Sequence, residues 1–296
     1  MSDSTKSRHH LSGDTVEEFN RNGAIVLRGV FTDWMDTLRN GVEQNLSEPG
    51  EFGKVYTSEG ETGKFFGDYC NWQRIDSYRK FFFESAAGHI AAQLVDSSSV
   101  RIFHEHVLVK EPGTARKTPW HHDQPYYCVD GSKLCSLWIP LDPVDQSVCA
   151  EFICGSHSWN RSFLPTKFSG VSYDRPGENY EKLPDIDAHR DDYNILSWEL
   201  EPGDAIAFHF MTVHGAPEIY HHTDDARFLR GYWVTTPCTR SEAVKCRRRS
   251  PDWNNALKPE KLWMPLNFPR SIPARRTRLG QAKRSLQPRL KQSKTG

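Results

Sequence analysis

PWHHDQPYYCVDGSKLCSLWIPL, residues 119–141, is the stretch that decides the fold. Two runs dense in aromatic and aliphatic residues, 119–127 and 133–141, stand on either side of Asp130-Gly131, a dipeptide that turns a chain back on itself. The texture extends both ways. VRIFHEHVLVK (100–110), CAEFIC (149–154), YNILSWEL (193–200), DAIAFHF (204–210) and RFLRGYWVTT (227–236) are rich in Val, Ile, Phe, Tyr and Trp, with Pro-Gly or Asp-Gly punctuation along the series. Such spacing predicts a mainly β protein, an antiparallel sandwich or barrel. One segment, 169–192, interrupts it with a long acidic loop, a length common among lids and binding loops.

Upstream the pattern is helical. TVEEFNRNG predicts a short helix with Asp14 and Glu17 as a capping box and Gly23 as the residue just past its end. AIVLRGVF (24–31) reads as a buried strand, TDWMDTLRNGVEQNL (32–46) as a helix, and SYRKFFFESAAGHIAAQLV (77–95) as another. The first third is thus expected to be mostly helical.

Composition narrows the class. Of 296 residues 37% are hydrophobic and 12% aromatic, enough to fill a core, so global disorder is excluded. Lys and Arg together number 38, as do Asp and Glu, and no apolar run approaches the ~18 residues of a membrane-spanning helix. A transmembrane protein and a uniformly basic nucleic-acid binder are therefore not expected. Seven scattered cysteines without a C-x-x-C pair read as free thiols in a reducing cytoplasm, and MSDSTKSRHHLSGD lacks the apolar core of a secretory signal. We expect a flexible start at 1–10, one domain over 11–269, and a disordered tail over 270–296, whose basic residues have no acidic counterpart.

The chemistry lies in the β half. In a strand, residues i and i+2 share a face, so His121 and Asp123 are expected to point one way and His122 the other. A mononuclear non-haem Fe(II) site needs two His and one carboxylate on one face of an octahedron, leaving positions for a chelating co-substrate and O2. His214 is the natural third ligand, because Glu201-Pro202-Gly203-Asp204 turns into DAIAFHF, after which Val213-His214-Gly215 arrives on the adjoining edge. Use of 2-oxoglutarate also requires a cation for its far carboxylate, and Arg binds carboxylates in bidentate fashion. Alternation along RFLRGYWV puts Arg227 on one face and Arg230 on the other; Arg227 is preferred.

These motifs, in this order, resemble the phytanoyl-CoA dioxygenase family of Fe(II)/2-oxoglutarate oxygenases. The likeness runs from about residue 11 to about 240, through EEFNRNGAIVLRGVF, VLVKEPGTARKTPWHHDQPYY, LWIPLDPVD, EFICGSHSW, EPGDAIAFH and VHGA. It implies a double-stranded β-helix core with flanking N-terminal helices, His121, Asp123 and His214 as metal ligands, and Arg227 as the anchor of 2-oxoglutarate. It further implies that Thr118, His106, Leu108 and Trp138 line the co-substrate pocket. Two departures stand out: Ala216 where several relatives have Ser, and His122 where Gln is usual. Because related halogenating enzymes replace the carboxylate by a small residue, Asp123 implies hydroxylation. Gln124, Tyr126 and Tyr127, just past the metal pair, are candidates for substrate contact.

The expected function is hydroxylation of an unactivated C–H bond in a small metabolite or acyl derivative, with Fe(II), 2-oxoglutarate and O2, releasing succinate and CO2. The alternatives are a non-catalytic metal- or ligand-binding protein on the same fold and an oxygenase acting on a polyanion engaged by the basic tail. No nucleic-acid partner is expected, since the tail has no aromatic residues to stack on bases.

Overall fold

A computed structural model of the chain describes residues 10–57, 60, 63–111, 117–127, 129–167, 171–173 and 179–217, and the backbone alone at 229–237 and 264–266. Arg227, Arg230's side chain, His221, His222 and the tail beyond 266 lie outside what is described.

Helix α1 (Gly13–Asn22) is capped by Ser12, whose hydroxyl accepts from the Thr15 amide, in place of the expected Asp14–Glu17 box. The Ser lies two residues earlier and reaches the orphan amide from extended backbone. Gly23 closes the helix at φ 78°, and a Cβ there would come within 2.3 Å of His157 Nδ1, so only glycine serves. The predicted strand at 24–31 is shorter, β1 (Ala24–Leu27), followed by a 3-10 turn and α2 (Met35–Ser47). Residues 77–95 form two helices, α3 (Asp76–Glu84) and α4 (Ala87–Leu94), because Ser85 adopts extended backbone between them. The expectation of a mostly helical first third also misses a hairpin, β2 (Lys54–Val55) and β3 (Phe65–Tyr69).

The 100–110 run divides into β4 (Val100–Ile102) and β5 (His104–Lys110), which join different sheets. Then come β6 (Thr118–His121), β7 (Leu134–Pro140), β8 (Glu151–Ile153), β9 (Ile195–Leu196), β10 (Ala205–His209), β11 (His214–Ala216), β12 (Leu229–Pro237) and β13 (Met264–Leu266). A seven-stranded sheet runs β1-β10-β7-β12-β5-β3-β2, a four-stranded one β6-β11-β8-β9, and β13 pairs with β4. The pairings are antiparallel. From β5 to β12 the chain crosses between the two larger sheets repeatedly, β5 large, β6 small, β7 large, β8 and β9 small, β10 large, β11 small, β12 large.

Alternation assigns the faces. Val107, Val109, Leu137, Ile139, Ala205 and Ala207 of the large sheet share a core with Leu38, Phe81 and Ile90 of the helices, which cover its outer face. The intervening Trp138, Ile206 and Phe208 pack with Phe152 of β8, filling the space between the sheets. The site forms on this inner side.

Candidate metal centre

Strand β6 ends at His121, earlier than the sequence pattern suggests: Asp123 has helical backbone and starts a 3-10 turn, Gln124–Tyr126. The expected i, i+2 strand geometry is therefore absent. The carboxylate reaches the same place by the turn of the chain, with Oδ1 3.6 Å from His121 Nε2 and 3.7 Å from His214 Nε2. His121 and His214 are direct partners across β6 and β11, their ring centroids 4.2 Å apart. Among the described residues this is the one group of three or more His, Cys, Asp or Glu able to hold a metal, with ligand atoms all within 4.8 Å of one another.

The second nitrogens fix the rings. His121 Nδ1 lies 2.8 Å from the Pro119 carbonyl and His214 Nδ1 2.9 Å from the Thr212 carbonyl. Each Nδ1–H can only donate there, which leaves the Nε2 lone pair aimed at the shared centre. His214 stacks on Phe152 and touches Phe208, and burial lowers its pKa to about 4, so it is a neutral imidazole at physiological pH. Burial works against ionisation of Asp123, but His214 and His121 outweigh it and hold the carboxyl below its ordinary range. Ser136 Oγ donates to Asp123 Oδ2 at 3.3 Å. Two imidazoles with their Nε2 atoms turned inward and an ionised carboxylate beside them fit the donor set of mononuclear non-haem iron. The motif did not reveal Ser136; a lone polar residue in the all-buried LCSLWIP strand was the available signal.

A bulge shapes β6. Ala216 pairs with Thr118 and His214 with His121, so two steps on β11 face three on β6. The extra residue lets Thr118 and His121, at odd spacing, both face the interior. Trp120 meanwhile donates its indole N–H to Asp187, which also accepts from Lys117 Nζ, each at 2.8 Å. The acidic segment is thereby fastened to the ligand strand through its 3-10 turn, Asp187–Asp192.

The remaining candidates are spread around this centre. Half-buried His106 and Leu108 alternate on the inner face of β5, with the His106 ring 5.6 Å from that of Tyr69 and its pKa lowered by burial to about 3. Trp138, 5% exposed, belongs to the core between the sheets. Thr118 Oγ1 lies 3.5 Å from Lys110 Nζ. Gln124 donates its backbone amide to the Phe210 carbonyl. The Tyr126 ring is 5.5 Å from that of His121, and its hydroxyl donates to the Thr166 carbonyl and accepts from the Thr166 amide. Tyr127 is buried with Phe103 and Phe210. His122 faces away, accepting from the Phe163 amide. His104 is buried against Phe103 and Tyr127, and His157 meets the Asn20 carbonyl at the end of α1.

The family model described as phytanoyl-CoA dioxygenase matches residues 19–228. No curated protein sequence matches the chain. Solved structures do. SnoK, a non-heme alpha-ketoglutarate dependent carbocyclase from nogalamycin biosynthesis, aligns with TM-score 0.60 and 19% identity, over 77% of this chain and 85% of that one. The epimerase SnoN, in complex with Fe3+, alpha-ketoglutarate and nogalamycin RO, gives 0.59 and 16% over 76% and 82%. EctD from S. alaskensis, with 2-oxoglutarate and 5-hydroxyectoine, gives 0.60 and 17% over 82% of each chain. At these identities the structural likeness establishes a shared fold.

Proposed function

The chain belongs to the phytanoyl-CoA dioxygenase family and is an Fe(II)- and 2-oxoglutarate-dependent oxygenase; from that premise we propose that it hydroxylates an unactivated C–H bond of a small metabolite or acyl derivative. His121, Asp123 and His214 hold the iron. The observation that carries this reading is the convergence of the two Nε2 atoms and the Asp123 carboxylate, with both Nδ1 atoms tied to backbone carbonyls. When bound, iron supplies the activation of O2 that couples decarboxylation of 2-oxoglutarate, to succinate and CO2, with oxidation of the substrate.

The chain's own residues hold, orient and shield. Backbone carbonyls 119 and 212 keep the imidazoles in the ligating tautomer, and Ser136 orients the carboxylate. Phe152 and Phe208 exclude water behind His214. Thr118, His106, Leu108 and Trp138 line the co-substrate side, and Arg227 anchors the far carboxylate. The register supports Arg227 over Arg230: position 230 lies opposite Val109, an outer-face residue, whereas 229, 231 and 233 lie opposite Lys110, Leu108 and His106. In the sequence Arg227 keeps the odd-numbered phase of 229, 231 and 233, which favours it as the anchor. Gln124, Tyr126 and Tyr127 form the substrate side. The crossing of the chain between sheets supports a double-stranded β-helix within one domain, 11–269, and the free Cys70, Cys135, Cys149 and Cys154 suit a reducing cytoplasm. No helix among the described residues is long and apolar enough to cross a membrane.

The test is incubation of the iron-loaded protein with 2-oxoglutarate, O2 and a metabolite library, read by substrate-dependent succinate and a mass gain of one oxygen. Absence of succinate under all conditions would favour the non-catalytic reading. Loss of activity on a polyanion alone when residues beyond 269 are removed would favour the tail-engaged one.

A further inference from the structure

Four tyrosines from four separate segments gather beside the candidate metal centre. Tyr69 stands on β3 paired with His106 of β5, its ring 5.6 Å from that imidazole and at 78° to it. Phe52 stacks on Tyr69 at 4.7 Å and 8°, which fixes the plane of the ring. Tyr56, just past β2, lies over Gly67 and beside Leu108. On the metal side the Tyr126 ring is 5.5 Å from that of His121, and Tyr173 of the acidic segment meets Tyr126 at 6.0 Å and 89°. Tyr173 also neighbours the hairpin: burial and then Tyr173 raise the Tyr56 phenol pKa to about 12, and burial, Cys70, Tyr56 and Tyr173 raise that of Tyr69.

Rings set edge to face leave part of their π surface uncovered, where a parallel stack would hide it. All four tyrosines are half-buried, as are His106 and Leu108 beside them, so the six wall a cleft that is enclosed yet open. None of the six is charged at neutral pH, since burial raises the phenols of Tyr56, Tyr69 and Tyr126 and holds His106 as a neutral imidazole. Exposed apolar side chains flank two of the walls in sequence: Val55 precedes Tyr56 and Val171 lies two residues before Tyr173. Lys167 Nζ stands 5.2 Å over the Tyr173 ring, so the rim already carries an ammonium, and that charge repels a second cation.

We propose that this tyrosine-walled cleft is the primary-substrate site and that it takes an uncharged compound presenting a flat ring. The proposal rests on the oxygenase reading above and narrows its substrate from small metabolites and acyl derivatives in general to ring-bearing ones. Against aromatic walls an open acyl chain gains burial alone, whereas a flat ring adds edge-to-face and stacked contacts.

The experiment is titration calorimetry on the full chain loaded with Mn(II) and 2-oxoglutarate, using 2-naphthol, 1-decanol and tetramethylammonium. The two alcohols have equal carbon counts and a single hydroxyl. A merely apolar cleft favours 1-decanol, which buries more surface. We expect the reverse, with 2-naphthol bound about tenfold more tightly, because a rigid ring makes ring–ring contacts and gives up no chain rotations. Tyr69→Leu and Tyr173→Leu should each weaken 2-naphthol about fivefold and leave 1-decanol unchanged, whereas Tyr69→Phe and Tyr173→Phe keep the wild-type preference. If 2-naphthol does not bind, if 1-decanol binds as tightly, or if both Leu variants bind 2-naphthol like the wild type, the proposal is overturned. Preference for tetramethylammonium would make the cleft a cation cage and overturn the substrate class. Should Tyr69→Leu fail to fold, Tyr173→Leu decides. Iron-loaded protein that forms no succinate under any condition refutes the oxygenase reading, whereas failure of the cleft shows in the binding comparison.

Discussion

In the large sheet β12 runs for nine residues in continuous register with β5 and β7, and every residue of β7 is buried; in the small sheet no strand exceeds four residues and the β6–β11 register is broken by a bulge. Yet the two histidines of the candidate metal centre belong to the small sheet, and Asp123 to the turn that follows it. Long strands packed on both faces give a frame that needs no ligand for its stability. Short strands make few backbone bonds, so their geometry depends on what lies around them: Phe152 and Phe208 against His214, and the two carbonyl–imidazole contacts. The difference teaches that chemistry and stability are separable here, and it can be attacked from either side.

The largest effect should come from the ligands. His121→Ala, His214→Ala or Asp123→Ala should each abolish Fe(II)-dependent turnover, by more than about a thousandfold, because an octahedral face missing one donor no longer orients its co-substrate. Circular dichroism should show the fold retained, since the large sheet's core is untouched. Full activity in any of the three would remove that residue from the site.

Phe152→Ala attacks the joint between the sheets. Deleting a fully buried ring there should cost about 3–5 kcal/mol of stability. Hydrogen exchange should show the loss of protection concentrated in β8 and β11. Uniform loss over both sheets would mean that they unfold as one unit and that the contrast drawn above is wrong.

Arg227→Ala should raise the 2-oxoglutarate KM by roughly a hundredfold, from the 2–5 kcal/mol typical of removing one member of a desolvated charge pair, while Arg230→Ala changes it little. The reverse ranking would show β12 to be shifted in register beyond its described start.

The smallest effect tests the frame's outer face. Glu105 is fully buried in β5, accepts from the Asn71 amide, and has its pKa raised by burial to about 8. The unfolded chain releases this proton near 4.5, so the native state holds more protons between the two values. Stability should therefore fall as pH rises from about 4.5 and level off above 8. Glu105→Gln should flatten that slope in denaturant titrations; an unchanged slope would show the carboxyl ionised in the fold.

The grouping of His121, Asp123 and His214 was legible because its signal is chemical and local. A His and an Asp two apart, then a His after a Pro-Gly-Asp turn, can be read without knowing which way the strands run. Their backbone was less so: the carboxylate's position survives the end of β6 at His121 because a 3-10 turn brings it round to the same centre. Strand β3, FFGDY, escaped notice since its apolar pair sits between glycines in a stretch without alternation, and its place is set by pairing with β5. Ser85 gave no warning that 77–95 would break, because extended backbone at that point is decided by how α3 and α4 pack.

The bulge in β6 has a mechanical side. The surplus residue turns Trp120 outward to Asp187, while the Pro119 carbonyl beside it holds His121. Gly215 permits the close approach this needs, since a Cβ there would stand 3.0 Å from the Thr118 carbonyl and 3.3 Å from the Trp120 ring. The acidic loop and the His121 imidazole thus hang from adjacent links of a four-residue strand. Force applied to the loop arrives at that imidazole before it reaches the large sheet.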